Sequence, residues 1–140
     1  MKNPRFWLAV FIVGIVANAL DFVVQGKLLT DAFYSKIDTM RHDANPMGFV
    51  VADFAAMFVL AWVYTRVASV FGPGAKGGAT AGFFLGVLVN FPTFHFISLM
   101  FRGMPYALVW INTLYGIGWY IVTGAILGMM LNKPAETKAG

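Results

Sequence analysis

Four long apolar stretches dominate the chain and leave few folds open to it. They run from Trp7 to Val24, Gly48 to Val70, Ala79 to Phe101 and Pro105 to Leu131. A helix rising about 1.5 Å per residue needs about 20 residues to cross the roughly 30 Å hydrocarbon core of a bilayer. A transmembrane β-barrel would instead show shorter segments of alternating polar and apolar residues, and these stretches lack that period. The pattern predicts an all-α integral membrane protein, a bundle of four transmembrane helices with the lipid bilayer as its first partner. Composition agrees, since only 11% of the 140 residues are charged and 59% are hydrophobic. A soluble domain carries roughly a quarter of its residues as charged ones.

The expected layout is a single domain over residues 1–132 followed by a flexible tail over 133–140. Ala17-Asn18-Ala19 has the small-x-small form of a signal-peptide cleavage site. The apolar run continues past it through Leu20, Phe22, Val23 and Val24, so the reading is an uncleaved first span. Phe71 to Gly78, rich in glycine, reads as a tight turn back into the bilayer. The one long connection runs from Gln25 to Met47. Within it Leu29, Phe33, Ile37 and Met40 recur at helical spacing, which predicts a short interfacial amphipathic helix over about residues 28–41. Gly26 is expected to turn the chain into that helix and Asn45-Pro46 to stop it.

Lys2, Arg5, Arg66, Lys76, Lys133 and Lys138 fall on one side of this layout, and Lys27, Lys36, Arg41 and Arg102 on the other. The positive-inside rule then puts both termini in the cytoplasm. The formal charge of +4 is scattered over loops and ends, without the basic stripe of a nucleic-acid binder. Nucleic acid is not an expected partner, and attraction to anionic headgroups accounts for the charge. Without cysteine there is no disulfide and no thiolate nucleophile. Walker, dinucleotide-binding and serine-elbow motifs are absent, and no cofactor is expected.

In lipid, helices associate through close backbone packing and internal hydrogen bonds rather than by burying apolar surface. Gly78, Gly82 and Gly86 recur at spacing four in the third span, with Asn90 on the same line. The fourth carries Gly124 and Gly128, plus Asn112 and Gly116, and the first carries Gly14 and Asn18. These seams predict a compact bundle, with a surplus seam available for homo-oligomers or a larger membrane complex. Pro92 cannot donate to the carbonyl of Leu88, so a kink is expected there. Trp7, Trp62, Tyr64, Tyr106 and Trp110, near span ends, suit the headgroup level. Trp119 and Tyr120 lie deeper.

Ionisable residues inside membrane helices each need an account. Because successive spans run in opposite directions, Asp21, Asp53, His95 and Asn112 all fall in the leaflet facing the long connection. Asn18 sits one turn before Asp21, and Tyr115 one turn after Asn112. As a ligand or proton site, Asn18, Asp21, Asp53, His95, Asn112 and Tyr115 would converge on a cavity. As structural glue, they would satisfy one another between helices, with Asp53 capping the first turn of span two. A metal or haem at His95 is a third reading, without a paired histidine motif to support it.

Asn18 through Tyr34, Asn-Ala-Leu-Asp-Phe-Val-Val-Gln-Gly-Lys-Leu-Leu-Thr-Asp-Ala-Phe-Tyr, with the opening of span three, Gly78-Ala-Thr-Ala-Gly82, resembles small bacterial four-helix membrane proteins of uncharacterised function. The resemblance implies a bacterial inner-membrane location and assigns no catalytic residue. Three functions follow as alternatives: an accessory or interaction protein, a protein that binds or transports a small solute or proton, and a membrane enzyme or haem/metal-binding protein.

Overall fold

The computed structural model describes residues 3–40 and 43–131. The fold is all-α, with four long helices: α1 (Pro4–Val23), α2 (Pro46–Phe71), α3 (Gly74–Met100) and α4 (Tyr106–Leu131). All four are long and apolar enough to cross a membrane. Their outer faces are apolar too, with Leu99 82% and Val70 78% exposed. Water would penalise such a surface at about 25 cal/mol per Å² of apolar area, and hydrocarbon does not.

Local chemistry sets the ends. Asn3 and Asn45 cap α1 and α2, each side-chain oxygen accepting a main-chain N–H at 3.0 Å, from Arg5 and Met47 respectively. A proline follows each cap at the first helical position, where its missing N–H costs nothing. Asn45-Pro46 therefore starts α2 rather than stopping an interfacial helix. Asp53 lies seven residues inside α2, too deep to cap its first turn.

The connection after α1 also differs from the expectation. No separate interfacial helix is resolved among the described residues. The chain continues from α1 through a π-helical turn, Val24–Leu29, then Thr30–Ala32 and a 3-10 turn at Tyr34–Lys36. Gly26 does not break the helix, because a glycine costs only about 1 kcal/mol in a helix interior and its neighbours are anchored. Leu29 is buried, and Thr30 Oγ1 donates to the Gln25 carbonyl at 2.8 Å. Arg41, at the far end of the expected helix, and His42 lie outside the described residues, as do Lys2 and the expected tail, 133–140.

Between α2 and α3 the turn is tighter than the glycine-rich linker suggested. Gly72 and Gly74 take φ of 88° and 75°, which glycine reaches without steric cost, and α3 begins at Gly74. Tyr64, expected at the headgroup level, is fully buried under this turn. Its O–H is shared between the carbonyls of Gly72 at 3.2 Å and Gly74 at 3.4 Å. Tyr64→Phe is expected to lower stability by about 1 kcal/mol, read as a shift in the denaturant midpoint in detergent. An unchanged midpoint would show that this bond contributes nothing net.

The closest pairing is α3 against α4. A Cβ added to Gly78 would lie 2.0 Å from the Gly124 carbonyl oxygen, and one added to Gly128 would lie 2.1 Å from that of Gly74. Gly82 packs in the same way on Tyr120, and Gly86 on Ile117. The backbones touch because no side chain stands between them. The seam is thus consumed within the chain. α3 runs unbroken through Pro92. On the other side of the bundle, Ala9, Val13 and Ala17 of α1 pack against a core that includes Met57, Leu60 and Ala61 of α2. Gly14 is covered by the Phe54 ring, and Trp7 stacks on Phe58 at 5.6 Å.

Candidate functional site: a polar ladder between α1 and α4

α1 and α4 run antiparallel, so steps of about one turn along each bring successive pairs together. Trp119 Nε1 donates to the Ala17 carbonyl at 3.2 Å. One turn on, the Tyr115 hydroxyl donates to Asp21 Oδ1 at 2.5 Å. One turn further, Gln25 Nε2 donates to Asn112 Oδ1 at 3.0 Å. Steps of four residues along α1, and of four and then three along α4, tie the two helices over roughly 10–12 Å.

Asp53 approaches the middle rung from α2, close enough for its carboxyl group to interact with that of Asp21. Two carboxylates at such proximity repel each other, and a proton held between them would relieve the repulsion. Both aspartates are partly exposed, whereas Asn112 is only 1% exposed. Tyr120 of α4 lies within electrostatic reach of Asp53.

The outer rung has a third member. The Tyr34 hydroxyl, beyond the π-helical turn, is 2.6 Å from Gln25 Oε1 and 3.0 Å from Asn112 Oδ1, and donates its single proton to one or the other. Tyr34 also lies close enough to Asp21 to sense its charge.

The residues singled out from sequence separate into groups. Asp21, Asp53 and Tyr115 come together, with Asn112 one rung outward. Asn18 turns back on its own helix, its Nδ2 donating to the Gly14 carbonyl at 2.9 Å. His95 belongs to another environment. Its ring stacks on Phe91 at 4.3 Å and meets Trp110 edge-on at 5.0 Å. Nδ1 lies 2.7 Å from the Phe91 carbonyl oxygen, which can only accept, so Nδ1 carries a proton. Among the described residues, His95 Nε2 is the one buried side-chain N or O atom without a hydrogen-bond partner. No group of three or more metal-ligating side chains occurs among the described residues.

Sequence reasoning missed Gln25 and Tyr34. A signal for Gln25 exists, since Asn18, Asp21 and Gln25 share one helical face at i, i+3 and i+7. Tyr34 carries none, because its contact depends on the fold-back after the π-helical turn.

In comparisons with known proteins, the chain matches no family model, no curated protein and no solved structure. What the resemblance and the structure share is an all-α bundle of four helices apolar enough to span a membrane.

Proposed function

We propose that this chain is a small multi-span membrane protein that binds and releases a proton at the Asp21–Asp53 pair, and so handles protons or a proton-coupled small solute. What carries the reading is the placement of two carboxyl groups from different helices close enough to interact, with the Tyr115 hydroxyl donating to Asp21. Such a pair exchanges one proton without moving a helix. The six basic residues on the side of the termini, against four on the other, favour both termini in the cytoplasm, and the resemblance to small bacterial four-helix membrane proteins favours a bacterial inner-membrane placement.

A second reading, an accessory protein in which these groups are only interhelical glue, is favoured by the Trp119–Ala17 rung, which binds helices and has no titrating member. Asp53→Asn separates the two. A carboxamide of the same shape donates to Asp21 in place of the shared proton, so stability should change by no more than about 1 kcal/mol. Under the proton reading, the wild type shows the infrared carbonyl band of a protonated carboxyl group and Asp53→Asn loses it. Vesicles holding the wild type should also dissipate an imposed pH gradient faster than vesicles holding the variant. Identical spectra and identical decay leave only the glue.

A further inference from the structure

We infer that Val24–Lys36 is a strap closing the approach to the carboxyl pair from the long-connection side, with the Tyr34 hydroxyl as its latch. The inference rests on the proton reading and adds how access to that site is controlled.

Three observations carry it. First, the strap departs from α-helical geometry at both ends. The π-helical turn spans Val24–Leu29, and Phe33, with φ −132° and ψ −55°, interrupts the helix before the 3-10 turn. Irregular turns of this kind let a segment swing while the flanking helix stays in place. Second, the strap's side-chain hydrogen bonds to the bundle all converge on one acceptor. Gln25 Nε2 and Tyr34 O–H both address Asn112 Oδ1, while Leu28, Asp31, Ala32 and Lys36 are exposed. Leu29 supplies the strap's buried apolar contact. Third, the latch stands where access would be needed. Gln25 is one turn beyond Asp21 on α1, and Asn112 is one turn beyond Tyr115 on α4. The path between these helices from the connection side to the Asp21–Tyr115 rung therefore passes the Gln25–Tyr34–Asn112 rung.

The Tyr34 hydroxyl offers one proton to two acceptors, at 2.6 and 3.0 Å. The buried acceptor, Asn112 Oδ1, keeps a partner when it leaves, because Gln25 Nε2 still donates to it. Release of the Tyr34 hydroxyl is thus the first step of opening, and it leaves the buried Asn112 partnered by Gln25.

The test uses the full chain in lipid vesicles. A water-soluble carbodiimide with an amine nucleophile labels Asp21 and Asp53, and mass spectrometry reads the rate. Amide hydrogen exchange over residues 24–36 is followed in parallel. Tyr34→Phe is expected to label the pair about fivefold faster and to speed strap exchange by a similar factor, as loss of one modest hydrogen bond dictates. Asn112→Leu removes the keeper from the α4 side and should act in the same direction. Tyr106→Phe, exposed at the start of α4, should change nothing. Unchanged labelling in Tyr34→Phe, with the protonated-carboxyl band present, overturns the strap. If that band is missing from the wild type, the proton reading fails. The strap is then judged on exchange alone: faster exchange in Tyr34→Phe supports it and unchanged exchange overturns it.

Discussion

Gly82→Leu is expected to force α3 away from α4 and to cost the bundle at least about 3 kcal/mol, at the upper end of overpacking penalties. The reason is geometric. Even a single Cβ at this position would lie 2.0 Å from the Tyr120 carbonyl oxygen and 2.7 Å from its carbon. These are backbone atoms of a helix and cannot rotate aside, so the helix axes must separate. Separation would also loosen the Gly78–Gly124 and Gly74–Gly128 contacts on the same line. In lipid no gain in apolar burial compensates for lost packing. Unfolding titrations in detergent, followed by circular dichroism, give the measurement. Gly118→Leu is the control, because nothing lies within 4 Å of a Cβ there. Equal stability of the two variants would show that the seam does not hold the bundle.

The second large effect belongs to Asp21→Leu. This change removes the acceptor of the Tyr115 hydroxyl and the partner of Asp53 together. Each partly buried polar group left without a partner costs about 1–3 kcal/mol, so a loss of about 2–4 kcal/mol is expected by the same reasoning. The effects should not add. In the Asp21→Leu background, Tyr115→Phe removes a hydroxyl that is already stranded and should cost nothing further, or restore some stability. In the wild-type background it should destabilise. A double-mutant cycle on the same titration reads the difference. Simple additivity of the two changes would mean that the bond between Tyr115 and Asp21 is energetically silent.

Much of the architecture was legible in the residues because it depends on local properties. Apolar runs at helical length located α2 and α4 to within two residues of their observed ends. Glycines at spacing four marked the faces on which α3 and α4 meet. The errors lie where a local signal competes with a distant contact. Gly26 reads as a breaker, yet the chain stays helical because Gln25 and Leu29 are held by the bundle. Tyr64 reads as an interfacial ring, yet it lies under the α2–α3 turn. His95 shares a leaflet with Asp21 and Asp53, but depth along the bundle does not determine the direction around a helix axis. Its ring faces Phe91 and Trp110 instead.

Taken alone, then, the residues determined how many helices form, how long they are, and that their surfaces suit hydrocarbon. Each of these follows from main-chain hydrogen bonding within a segment and from the polarity of its own side chains. Only tertiary structure decided that Asp21 meets Asp53 and Tyr115, that Asn112 meets Gln25 and Tyr34, and that Asn18 meets neither group. Those meetings depend on the relative rotation and register of the helices, which the backbone contacts of the α3–α4 seam and the rungs between α1 and α4 set jointly. No single segment encodes them.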